Sequence, residues 1–332
     1  MTLTQVSKIT RIFILAFFIV TFVGSGTFVG FRIWYANYLS SLPPVEEKAD
    51  PKFGVLKIPN FPSSTVSSSN FSYSIDTTTG NLPVFGSIGK VFIMPPTTAT
   101  LLANERSQSL ATKLNLDPNP QILTETKYKY SNPDSSLTAD LDTGNFSFIK
   151  QASASAQTTI TDNQEQLING LKIFLNQLGV LNDALKNGPF KVIFLDSDKK
   201  TAQLSLWPDK IDQKNIVTPK QDKSLVTAQV TKSATEVGNY LSLDFTYWTV
   251  DTSSFATYPL KSTQDAFTNL QQGKAIVIIP PSTSNVSITE VSLAYFQADT
   301  YFPYLEPVYV FSGPNFTAYV TAISDSYLEN SK

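Results

Sequence analysis

The sequence has no cysteine and no histidine in 332 residues. The first absence excludes disulfides, zinc–thiolate sites, Fe–S clusters and a thiol-linked lipid. The second excludes Ser-His-Asp and Cys-His catalysis, haem ligation by histidine and nearly every catalytic zinc site. Charge is sparse too, at 16% of residues, with 25 Lys+Arg against 27 Asp+Glu and a formal net charge of −2. Such a near-neutral chain lacks the electrostatic footprint of a nucleic-acid binder, and no nucleic-acid partner is expected. Carboxylate chemistry, Ser-Lys chemistry, calcium or magnesium binding, or no chemistry remain. Hydrophobic residues make up 42%, enough for cores in one or two domains.

One long uncharged run is present. Between Arg11 and Arg32 lie twenty residues, IFILAFFIVTFVGSGTFVGF. As a helix they would span roughly 30 Å, the thickness of bilayer hydrocarbon. Trp34, Tyr35 and Tyr38 follow, as an interfacial aromatic belt would. No Ala-x-Ala site ends the run, so an uncleaved anchor is expected rather than a signal peptide. Lys8 and Arg11 before the run, and Glu46 and Glu47 after it, set the orientation. The expectation is a single membrane span from Ile12 to Phe31, N-terminus cytoplasmic and the remainder extracytoplasmic. Gly26 and Gly30 have the G-x-x-x-G spacing of a helix-docking face and are the candidate transmembrane packing residues.

The rest divides by composition and periodicity. Residues 1–38 form the cytoplasmic stub and anchor, and 39–70, rich in proline and serine, read as an extended stalk. Residues 71–156 and 157–332 read as two α+β modules with antiparallel strands and few helices. A weakly amphipathic helix is expected around 99–115. The strongest helix signal is Leu167, Ile168, Leu171, Phe174, Leu175 and Leu178 on one face, with Gly179 as the stop. Asp162 and Glu165 have capping-box spacing at its start. Ser262 caps a short helix at 263–270. The expected fold class is thus α+β, an N-terminal transmembrane helix followed by tandem antiparallel-sheet modules.

Few residues raise a chemical question. Asp142-Thr143-Gly144 spells the tripeptide of an aspartic protease. That chemistry needs two carboxylates about 3 Å apart sharing one proton, and the chain holds one such tripeptide. Its flanks, Leu137, Ala139 and Leu141 before and Phe146 and Phe148 after, alternate with polar residues. That is a hairpin, with Gly144 placed for a positive φ and Asp142 on its polar side. Asp76 to Asn81 repeats the turn chemistry with the spelling broken. Asp140-x-Asp142 and Asp196-x-Asp198 lack the third ligand and terminal Glu of a calcium loop and read as turns. No catalytic, cofactor or metal residue is therefore expected. Tyr301, Phe302 and Tyr304, a cluster after Asp299, are the candidate partner-binding residues; the other reading folds them onto the C-terminal sheet.

The last third carries a resemblance. YPLKSTQDAFTNLQQGKAIVIIP, then VSLAYFQ, then EPVYVFSGPNFTAYVTAI, resembles the C-terminal domain of the YycH/YycI regulators over residues 258–323. The helix and hairpin of 99–148 are similar to a PepSY repeat. Anchored proteins from uncultured bacterial lineages are similar in plan. The resemblance implies a single-pass protein whose outer part modulates a sensor histidine kinase, and it implies no catalytic residue. The functional expectation is a non-enzymatic, membrane-anchored regulatory protein with another membrane or envelope protein as partner. The alternative is a structural or adhesive cell-surface protein, based on the Ser/Thr/Asn-rich strands.

Overall fold

The computed structural model describes residues 48–151 and 159–329, together with Thr21, Thr27, Phe28, Gly30, Phe31, Arg32, Trp34 and Tyr35. The chain divides into two compact units, Met1–Lys48 and Ala49–Lys332. In the first, the described residues from Thr21 to Tyr35 are helical. Contacts there follow helical spacing: the Arg32 guanidinium lies 5.7 Å from the Phe28 ring centroid, and Phe31 stacks on Tyr35 at 6.0 Å. Among the described residues no helix is long and apolar enough to cross a membrane. Most of the expected span, including Gly26, lies outside them. Around Gly30 a Cβ would meet nothing within 4 Å.

The second unit is α+β with mainly antiparallel sheets. It opens with β1 (Ser72–Ile75) and β2 (Ile88–Ile93), then α1 (Ala103–Lys113). Four strands follow, β3 (Gln121–Ile122), β4 (Lys127–Asn132), β5 (Ser135–Asp140) and β6 (Phe146–Lys150). Helices α2 (Gln164–Leu178) and α3 (Asp183–Asn187) lead to β7 (Phe190–Phe194), β8 (Ala202–Leu206), β9 (Ile216–Val217), β10 (Val226–Val230) and β11 (Tyr240–Phe245). The chain continues through β12 (Asp251–Pro259), α4 (Thr263–Gln271), β13 (Ile276–Ile279) and β14 (Asn285–Ile288). It closes with β15 (Glu290–Phe296), β16 (Tyr304–Gly313) and β17 (Phe316–Thr321).

Eight strands form one sheet in the order β3-β4-β5-β6-β11-β10-β8-β7. Period-two alternation decides its faces. Across the register, Tyr130, Leu137, Phe148, Leu243, Ala228, Leu204 and Val192 form one inward row. All seven are buried, under α1, α2 and α3. The next row, Lys129, Thr138, Ser147, Asp244, Thr227, Ser205 and Lys191, lies on the opposite face. This sheet joins strands on both sides of the expected boundary at 156, through β6 and β11, so that boundary does not divide the fold. The cause is non-local: Phe146 and Phe148 need the partners Phe245 and Leu243 to close the core.

Helix α2 buries its predicted face, but starts one residue later than expected. Asn163, not Asp162, is the cap: its Oδ1 accepts from Gln166 N at 2.8 Å, and Gln166 Oε1 accepts from Asn163 N at 2.8 Å. Gly179 ends the helix. Gly170 lies mid-helix where the backbone of Ala234 passes; a Cβ there would sit 3.1 Å from the Ala234 Cβ. The close approach outweighs the cost of about 1 kcal/mol that glycine brings to a helix interior.

The second sheet is built around β16, which pairs with β15 on one side. On the other side β2 pairs at Tyr304 and Leu305, and β17 takes over from Val308. Pro307, which has no N–H to give, sits at the changeover. β2 also pairs with β12, bringing Ile93 beside Asp251. The chain therefore leaves this sheet and returns to it at neighbouring points, with the eight-stranded sheet built from residues between them. Residues 49–67, expected as part of a stalk, are packed along the second sheet instead. Leu56 is fully buried and bridges to Leu328. The Phe61 ring lies 4.6 Å from that of Phe296, and Ser67 bridges to Ile276. These apolar residues follow no period because each enters a different edge site.

Candidate binding groove

The Asp-Thr-Gly turn joins β5 to β6. Gly144 has φ +72° and a Cβ there would meet nothing within 4 Å, so backbone conformation alone calls for glycine. Gly144 N donates to the Asp140 carbonyl at 2.8 Å. The Asp140 carboxylate accepts from Asp142 N at 3.1 Å and Thr143 N at 3.0 Å. The Asp142 carboxylate accepts from Ala99 N at 2.8 Å and tethers the segment that leads into α1. Asn145 Oδ1 accepts from Tyr247 N at 2.9 Å and ties the turn to the strand connection behind it. Both aspartates thus hold main chain. Asp196 does the same, accepting from Lys200 N and Thr201 N at 2.7 Å each. The Lys200 N–H is the main influence that lowers its pKa. Among the described residues no group of three acidic side chains is gathered for a metal ion.

The same turn forms one wall of a groove of about 570 Å³. Helix α1 forms the facing wall, through Leu102, Arg106, Ser109 and Lys113. Their spacing of four, three and four residues sets them on one helical face. The floor is the end of α2, at Leu178, Gly179 and Val180. Lys113 Nζ donates to the Leu178 carbonyl at 3.4 Å, a cation at the negative end of a helix. On the core side, Ser107 and Tyr130 hydroxyls meet at 2.6 Å and fix α1 to the sheet. Among the described residues the Arg106 guanidinium has no ion pair or hydrogen bond. Leu102 of the groove wall is exposed, as is Leu101 before it in the chain. None of these helix residues was marked by its sequence as a site. The spacing of Arg106 and Lys113 was readable; their opposition to a turn thirty residues later was not.

The aromatic candidates are placed differently from an open patch. Phe302 is buried among Phe92, Met94, Trp248 and Leu305. Tyr304 stacks on Phe53 at 5.3 Å. Tyr301 keeps 38% exposure, but its hydroxyl donates to the Met94 carbonyl at 2.9 Å and its ring meets Trp248 edge-on. Phe302 thus belongs to the core, and the cluster folds back onto the sheet with Tyr301 still partly exposed. Apart from Leu305 and the cluster's own rings, the partners named, Phe53, Phe92, Met94 and Trp248, lie more than fifty residues away in sequence and carry no local signal.

No family model matches the chain, and no curated protein matches it. Among solved structures, an uncharacterised protein from Eubacterium rectale is similar over 72% of this chain and 84% of its own, at 12% identity and a TM-score of 0.39.

Proposed function

We propose that the protein is a membrane-anchored, extracytoplasmic interaction or regulatory protein without catalytic activity, and that the groove between α1 and the 139–144 turn receives its partner. The observation that carries this reading is the division of labour in the groove. Its aspartates are committed to main-chain N–H groups, while Arg106, which has no partner among the described residues, lines it together with exposed Leu102. A guanidinium next to apolar surface suits a protein segment presenting a carboxylate and a hydrophobic side chain. The uncharged run from Ile12 to Phe31 supports the anchor. The resemblance to the YycH/YycI regulators makes a sensor histidine kinase the first class of partner to look for.

The test is crosslinking of the full chain in native membranes, with captured proteins identified by mass spectrometry. Arg106→Glu should lose the principal crosslinked partner while melting as the parent does, since Arg106 has no intramolecular bond to break. Identical capture by both proteins would overturn the groove assignment. Recovery of the chain in the soluble fraction of lysed cells would overturn the anchor.

A further inference from the structure

Of the second sheet's edges, β9 is two residues long, and β12 and β13 are covered. Asp50 and Thr257 exchange two hydrogen bonds along β12, of 2.8 and 3.1 Å. Ser67 and Ser64 lie along β13, the latter donating to the Val277 carbonyl. In the eight-stranded sheet, β3 is an edge of two residues. The other edge, β7, is Phe190-Lys191-Val192-Ile193-Phe194, and it is neither short nor covered. The bonds from Trp207 N to the Pro189 carbonyl and from Leu195 N to the Thr201 carbonyl, each 2.9 Å, fix its orientation. Odd-numbered residues face β8. Phe190, Val192 and Phe194 therefore point their N–H and C=O groups away from the sheet. None of these groups has a partner among the described residues.

Natural edges are blunted by proline, a bulge or charged side chains. β7 contains no proline, its register with β8 is unbroken, and its one charge, Lys191, is paired with Asp222. Phe190 and Leu195 at its two ends are 41% and 49% exposed. We propose that β7 pairs antiparallel with β7 of a second copy of this chain, about a two-fold axis at Val192. The segment is self-complementary in that register. Phe190 meets the second copy's Phe194 on the inward face, and each facing pair exchanges two main-chain hydrogen bonds. On the outward face Lys191 meets Ile193, so no like charges oppose one another. The contact is isologous and consumes the edge, so it closes at a dimer rather than extending.

Sedimentation equilibrium of the full chain in detergent micelles tests this, with circular dichroism and melting as controls. The parent should be a dimer. Val192→Pro removes an N–H that has no intrachain partner, so it should give a folded monomer. Ile193→Glu places a carboxylate opposite the second copy's Lys191 and should tighten the dimer about fivefold; Ile193→Lys should weaken it about fivefold. A merely sticky apolar edge would be weakened by both charges. A monomeric parent, a dimer unchanged by Val192→Pro, or loss of affinity with both Ile193 variants would each overturn the proposal.

Discussion

Glu306 should make the fold less stable as pH rises, and replacing it should remove that dependence. Its side chain lies in β16, 1% exposed, and neither carboxylate oxygen has a hydrogen-bond partner. Phe296 is opposite on β15, and the nearby ionisable groups are tyrosines, Tyr304 on its own strand and Tyr258, which feels its charge. Among the described residues no cation is paired with it. Burial therefore pushes the Glu306 pKa well above the ordinary 4.5 and keeps it a neutral acid. The unfolded chain ionises first as pH rises. Its contribution is thus fully present below about pH 4.3 and falls by about 1.4 kcal/mol per pH unit until the folded carboxyl ionises. Glu306→Gln keeps the shape and cannot ionise. Urea unfolding of both proteins, in half-unit steps from about pH 5 to 7, isolates the term, because every other carboxylate is common to the pair. Parent minus variant stability should decline along that slope. Parallel curves would refute the reasoning, since Glu306 would then titrate alike in both states. Glu306→Met, which leaves no unsatisfied polar atom, should be more stable than the parent at the upper end of the range.

Two further outcomes follow from the groove wall and helix α2. Asp142→Asn keeps an oxygen for Ala99 N and should change stability by less than about 0.5 kcal/mol, whereas Asp142→Ala should cost about 1 kcal/mol, measured by urea unfolding. An equal loss for Asn and for Ala would show that the charge, not the hydrogen bond, matters there. Gly170→Val should lower stability by about 2 kcal/mol or more and shift the thermal midpoint accordingly, because its Cβ meets the Ala234 backbone; an unchanged midpoint would mean that the 231–237 connection can move aside.

What the sequence disclosed was local. Helix α2 was legible because six apolar residues repeat on one face and a glycine follows. Its start is shifted by one because Asp162 and Asn163 are both good caps, and the reciprocal bonds between Asn163 and Gln166 select the second. The hairpin at Gly144 was legible because one positive φ and an alternating pattern suffice. The joining of β6 to β11 was not, since pairing of strands nearly a hundred residues apart leaves no periodic trace. Phe53, Leu56 and Phe61 sat in a proline-rich stretch and were assigned to a stalk. Each packs singly into a long-range contact, so they formed no run that periodicity could detect. The groove combines three segments of that kind.

The neighbouring exit and return points, Ile93 and Asp251, also set a timetable for synthesis. β2 leaves the ribosome before the eight-stranded sheet exists, yet its partners β12 and β16 come last. At about 5–20 residues per second, the wait from Ile93 to Asp251 is roughly 8 to 30 s. During that interval the eight-stranded sheet acquires all of its strands, whereas the second sheet does not. Val91, Phe92 and Met94 stay exposed until the C-terminal strands arrive. A nascent chain stalled once Phe245 has cleared the ribosomal tunnel would thus carry the finished eight-stranded sheet and three strands, β1, β2 and β9, without partners, and those strands are where a chaperone would find it.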